Sequence, residues 1–159
     1  MTDFDSIVRE DASTASLVDV GERIAHATRY SREDIARFAL LTQDRNPVHH
    51  DREAARSAGL ADVIASGQHT SALMSGLAAT HFSRRDDGVP REMLCLNFNF
   101  SYKAPIFAGH EVVLEWRVAS TEWNESLGGV IAQLEGTAAV ADVPAVIARG
   151  TVLVRRAAR

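Results

Sequence analysis

Between Leu41 and Asp51 the chain reads LTQDRNPVHHD, a short run holding two aspartates, two histidines, an arginine, an asparagine and a proline. Three chemistries fit such a set. Asp, Asn and Pro are ordinary turn formers, and Asp51 can cap a following helix, so a plain polar loop explains several members. A metal site fits less well. His49 and His50 are adjacent, neighbouring side chains diverge, and neither a cysteine nor a carboxylate at helical spacing joins them. The third reading is an acid–base pair. Asp44 closes one helix and His49 lies just past a corner made by Asn46-Pro47. That corner can turn a carboxylate and an imidazole five residues apart into one cleft. Such a pair polarises a single water: Asp44 accepts a proton, while His49 orients the water or exchanges a proton with a substrate.

Chemistry of this kind needs a place for developing negative charge, and Ser66-Gly67 offers one. If Ser66 caps the helix that follows, the Gly67 N–H is one of the unpaired donors at its positive end. Glycine there lets a carbonyl oxygen approach the backbone, which would serve an ester or thioester enolate. Without the Asp44/His49 pair, simple helix-start geometry would be the preferred account of Gly67.

These residues need elements to hold them. Residues 1–15 are polar and unpatterned and read as a loose arm, with 16–159 as a single domain. Val20-Gly21-Glu22 reads as a turn and Arg23 to Tyr30 as a short strand. Ser31 to Asp34 has the form of a capping box. Ile35, Phe38, Ala39 and Leu41/Thr42 then recur at helical spacing, predicting a helix that ends near Gln43. Asn46-Pro47 stops it, because the residue before proline is pushed away from helical geometry. Asp51 can cap a second helix through Ser57, which Gly59 ends.

Gly67 to Phe82 is the longest uncharged helical stretch, slim on several sides through Ser71, Ala72, Ser75, Gly76, Ala78 and Ala79. A helix apolar nearly all round asks for burial. The period then changes to two. Leu94, Leu96, Phe98, Phe100 and Tyr102 alternate with polar or small residues, as do Val112, Leu114, Trp116 and Val118. Pro105 and Gly109 mark a turn or bulge between them. Val130 to Val140 and Val146 to Val154 complete four successive strands, with Asp142 to Pro144 as the last turn. Short links between strands favour an antiparallel sheet. The pattern is an α+β domain with a sheet around a central helix.

Bulk composition narrows the function. The chain has 159 residues, 46% of them hydrophobic and 24% charged, with a net charge of -4. That excludes an electrostatic footprint for nucleic acid. Arg155, Arg156 and Arg159 read as a solvated end. No run is long enough to span a membrane, and the acidic N-terminus lacks the order of a secretory signal. One cysteine, Cys95, excludes an internal disulfide framework and reads as a small core or sheet residue. A cytoplasmic protein is expected. The remaining histidines have bland readings: His26 on a strand, His81 near a helix end, His110 in a turn, His50 toward solvent. His69, early in the central helix, could line the cleft. Trp116 and Trp123 read as sheet packing.

Asp44-x-Asn46-Pro47-x-His49-x-Asp51, followed by Gly59 and by Ala65-Ser66-Gly67-Gln68-His69-Thr70, resembles the hydratase motif and helix start of MaoC-like, (R)-specific enoyl-CoA hydratases. The likeness runs without a gap from Asp44 to Ser75 and more loosely from Val18 to Val154, including Tyr102 to Gly109. It implies the hotdog fold, an antiparallel sheet wrapped around a long central helix, and at least a homodimer with sites at the interface. It also implies roles. Asp44 and His49 would be the catalytic pair, and Asn46 would support the loop or contact water. The Gly67 N–H, after Ser66, would hold the thioester oxygen, and Ser75 would assist from the helix. The implied substrate is an acyl thioester of CoA or of acyl carrier protein, with no cofactor and no metal. Ser66-Gly67-Gln68 stands where many members have His-Gly-Met, and His110 replaces the usual acid. These differences bear on substrate and leave the acid–base pair intact.

The expected activity is hydration of a trans-2-enoyl thioester to the (R)-3-hydroxyacyl thioester, or the reverse dehydration. A hotdog thioesterase and a non-catalytic acyl-thioester-binding module are the alternatives. The first would release free thiol, and the second would be expected to have lost Asp44 or His49.

Overall fold

The computed structural model describes residues 16–158, so the expected arm over residues 1–15, and Arg159, lie outside the described residues. Local sequence signals set most of the boundaries. The Ser31 hydroxyl accepts from the Asp34 N–H and the Asp34 carboxylate accepts from the Ser31 N–H, a reciprocal cap that starts α1 at Arg32–Leu41. The expected end near Gln43 falls slightly earlier: Thr42 is the C-cap, and Gln43 takes a positive φ of 58° that reverses the chain. A single 3-10 turn spans Pro47–His49. Asp51 accepts from Glu53 and Ala54 N–H to start α2, Arg52–Ser57. Ser66 accepts from the His69 N–H and starts α3, Gly67–Phe82.

Five strands form one antiparallel sheet: β1 (Arg23–Arg29), β2 (Arg91–Tyr102), β3 (Glu111–Asn124), β4 (Gly129–Val140) and β5 (Val143–Arg156), in the order β1-β3-β4-β5-β2. All five strands touch α3, so the sheet curves around the helix as the alternation and the slim sequence lead one to expect. Val112, Leu114, Trp116 and Val118 of β3 are all buried. The Trp116 indole donates to the Met74 carbonyl at 2.8 Å, which pins the sheet to the helix. Glycine makes room for the aromatic rings: a Cβ at Gly136 would lie 2.5 Å from Trp116, and one at Gly150 would run into the Phe98 ring.

Three readings of the pattern are corrected. In the single chain α3 is not buried all round, since Leu73 is 38% exposed and Ala72, Gly76 and Thr80 are exposed beside it. Strand β2 does not keep strict alternation. A bulge between Cys95 and Asn97 shifts the register, leaving Leu94, Cys95, Leu96 and Asn97 exposed at the sheet edge. A bulge adds one residue and changes which face follows. Of the two expectations for Cys95, the sheet residue holds and the core residue does not. The turn expected over Asp142 to Pro144 is tighter, with Ala141 and Asp142 at positive φ, and β5 already begins at Val143.

Candidate active site

The corner drawn from Asn46-Pro47 exists, and backbone bonds build it. Past the reversal at Gln43, the Asp44 N–H donates to the Ala39 carbonyl at 2.8 Å, tying the loop to the end of α1. One carboxylate oxygen, Asp44 Oδ1, accepts from the Asn46 N–H at 3.0 Å. Its other oxygen, Oδ2, is left facing His49 Nε2 at 3.4 Å. Asn46 is exposed, and its side-chain oxygen accepts from the Val48 N–H, so it shapes the 3-10 turn.

His49 is held from its far side. Nδ1 lies 2.7 Å from the Ile64 carbonyl oxygen. A carbonyl only accepts, so Nδ1 carries a proton, and whenever the ring is neutral Nε2 presents its lone pair. Nε2 and Asp44 Oδ2 are then two acceptors, separated by more than a well-formed hydrogen bond. A water donating one hydrogen to each satisfies both, and that water is the group the pair can activate. Burial differs in the same sense: the His49 side chain is 8% exposed, while that of Asp44 is 33% exposed. The imidazole is buried and the carboxylate is partly open to solvent. Asp44 borders a cavity of about 330 Å³ with Ala36, Ala39, Leu40, Arg45 and His50.

The segment Ile64 to Ser66 straps this loop to the start of α3. Ile64 N–H donates to the Val48 carbonyl, Ala65 N–H donates to the Ile106 carbonyl, and Ile64 bridges to Phe107. The segment then borders a second cavity of about 360 Å³, together with Gly67, Tyr102, Lys103 and Val146. The histidine and the helix start are thus placed on either side of one strap, within three residues of each other at Ile64 and Gly67.

The structure treats the remaining sequence candidates unevenly. Ser66 is buried and occupied as the cap of α3. Ser75 is two turns along α3, and its hydroxyl donates to the Ser71 carbonyl at 2.8 Å, a local bond that does not involve Asp44 or His49. His69 is half-buried, stacked parallel on Phe38 at 4.4 Å, and burial pushes its pKa down. His50 is exposed beside the cavity, and His81 is paired with Glu22 at 2.6 Å at the end of α3.

Two contributors escape a reading by residue type. The Ile64 carbonyl sets the histidine tautomer, yet any residue carries a carbonyl. Tyr102 lies against Gly67 so closely that a Cβ there would be 2.5 Å from its ring, and its hydroxyl meets Ser71 Oγ at 2.8 Å. The only signal for that contact is the glycine itself. Among the described residues no group of three or more His, Cys, Asp or Glu could hold a metal ion, and no helix is long and apolar enough to cross a membrane.

Residues 18–140 match the MaoC like domain family, and the chain belongs to it. The (R)-specific enoyl-CoA hydratase of Aeromonas caviae is 28% identical over 107 residues, covering 67% of this chain and 75% of that protein. The mitochondrial 3-hydroxyacyl-[acyl-carrier-protein] dehydratase FERN of Solanum lycopersicum is 24% identical and covers 72% of this chain. This chain spans 64% of the length of the tomato protein. Among solved structures, an (R)-hydratase from A. caviae superimposes with a TM-score of 0.75 at 26% identity, over 87% of this chain and 98% of that one. The fold is therefore the hotdog fold, and these named relatives are hydratases and dehydratases, which are lyases.

Proposed function

We propose that this protein hydrates trans-2-enoyl thioesters to (R)-3-hydroxyacyl thioesters, or runs the reverse dehydration, with Asp44 and His49 as the acid–base pair. The observation that carries the reading is the arrangement of two acceptors 3.4 Å apart, one of them a histidine whose proton is fixed on the opposite nitrogen. In hydration the water held between them loses a proton to the pair as its oxygen adds to C3. C2 needs a proton on the same face, and the same pair can return the one taken from the water. Negative charge on the thioester oxygen is met by the Gly67 N–H at the positive end of α3. Asn46 acts through the loop, Ser66 through the helix cap, and Ser75 assists from the helix. No cofactor and no metal enter the reaction as read.

The same reading includes a homodimer and a cytoplasmic location. Leu94 and Leu96 are 48% and 47% exposed on the edge strand β2. An apolar sheet edge left open invites pairing with another copy. The single cysteine and lack of an apolar spanning helix among the described residues are compatible with the cytoplasm.

The test is to mix the protein with a short enoyl-CoA and follow the conjugated-thioester absorbance. Hydration removes that absorbance without releasing thiol. Release of free CoA thiol would favour a thioesterase, and binding without turnover would favour an acyl-thioester-binding module.

A further inference from the structure

The cavity beside Gly67 has a charge pattern that the acid–base reading does not use. The chain contains one lysine, Lys103, among its 17 cationic residues. Lys103 stands on the rim of this cavity of about 360 Å³, and none of the residues bordering it is acidic. Its backbone is fixed: the Lys103 N–H donates to the Ala145 carbonyl at 2.7 Å and the Ala104 N–H to the same oxygen at 3.3 Å, with Pro105 following. The ammonium carried from that fixed point is exposed and, among the described residues, in no ion pair. By contrast Arg23, Arg29, Arg32 and Arg117 are each held by a carboxylate. The start of α3 adds its own positive end to the same cavity. A protein of net charge -4 thus keeps one unneutralised, carboxylate-free cavity next to its acid–base pair.

From this geometry we infer that Lys103 binds the phosphate of the phosphopantetheine arm that carries the acyl thioester. A flexible four-carbon stem ending in a compact charge suits a phosphate whose position varies along a long arm. The cavity walls given by Ile64, Pro105, Ile106 and Val146 are apolar and suit the arm itself. The thioester end then lies toward Gly67 and the phosphate toward the rim. CoA and acyl carrier protein share this arm and its phosphate, so the contact serves either carrier. The inference rests on the thioester reading of the site.

The test compares Lys103→Gln, Lys103→Arg and the unmodified sequence on three substrates bearing one enoyl group: the CoA thioester, the carrier-protein thioester and the N-acetylcysteamine thioester, which has no phosphate. In Lys103→Gln the ratio of KM for each phosphate-bearing substrate to KM for the N-acetylcysteamine thioester rises about 5- to 10-fold, and Lys103→Arg restores most of it. An unchanged ratio overturns the inference. A rise for the CoA substrate alone overturns the assignment to the arm and points to the nucleotide end. A second readout needs no turnover. Trinitrobenzenesulfonate labels Lys103 as the only lysine, followed at that residue by mass spectrometry. Saturating CoA slows this labelling about 5- to 10-fold and pantetheine, lacking the phosphate, does not. Equal labelling with and without CoA refutes the contact. Protection by CoA without hydration of any of the three substrates would sink the proposed activity and leave the Lys103 contact standing.

Discussion

A methyl group at Gly67 separates the catalytic demand on this residue from its structural one. The added Cβ would stand 2.5 Å from Tyr102 Cε1 and 2.7 Å from Cδ1 and Cζ, whereas carbon atoms settle at ~3.5–4 Å. The ring must retreat by roughly an ångström. It can do so, because Tyr102 is 49% exposed. The retreat stretches or breaks the 2.8 Å bond between the Tyr102 hydroxyl and Ser71 Oγ, costing about 0.5–1.5 kcal/mol. Alanine offsets this by up to about 1 kcal/mol of helix propensity. Gly67→Ala is therefore expected to melt within about 1 kcal/mol of the parent. The methyl nevertheless crowds the space beside the Gly67 N–H. Loss of one oxyanion donor costs ~10²–10³ in kcat, so hydration should fall by that order. Thermal melting and steady-state hydration on the same sample decide the matter. Parent-like kcat in Gly67→Ala refutes the oxyanion role. A kcat loss matched by several kcal/mol of lost stability refutes the argument from separable demands.

Other consequences follow from packing and charge. Gly136→Ala places a methyl 2.5 Å from the ring of fully buried Trp116 and 2.9 Å from Met74 Cε, with nowhere to yield, and should cost about 1–3 kcal/mol in a denaturant titration. The Asp87 carboxyl is held down at about 2, chiefly by its hydrogen bond from buried Arg91. A depressed carboxylate contributes stability that is complete above the ordinary value of 3.8 and is lost as pH falls through about 2. Asp87→Asn should flatten stability against pH in that window, and an unchanged slope would show that the pair contributes nothing. Leu96→Lys on the open edge of β2 should lower the mass seen by sedimentation if copies pair there, and an unchanged mass would place the contact elsewhere.

Legibility in the sequence followed the range of the forces involved. Caps written in side chains were readable: Ser31, Asp51 and Ser66 start their helices where their types require. The strand periods were readable where one face is buried, as from Val112 to Val118 in β3. They failed in β2, because a bulge at the edge obeys no side-chain period. The burial expected of α3 failed for a related reason, since the slim face at Ala72 and Gly76 is open in one chain and sequence does not say what faces it. At the site, the proline corner announced Asp44 and His49, but the Ile64 carbonyl that fixes the tautomer is a backbone atom. Ser75 gives no such signal: its hydroxyl donates to the Ser71 carbonyl within the helix.

Removing the carboxylate charge at Asp44 tests the central claim most directly. Asp44→Asn preserves the shape, keeps an oxygen to accept from the Asn46 N–H, and sets an amide where Oδ2 now faces His49 at 3.4 Å. An amide takes no proton from water. The rate of enoyl-thioester hydration should fall ~10²–10⁴, with the melting temperature little changed. His49→Gln should fall by a similar order, and the double variant no further than the worse single one, because the two groups act on one water. Full hydration activity in Asp44→Asn would contradict the account.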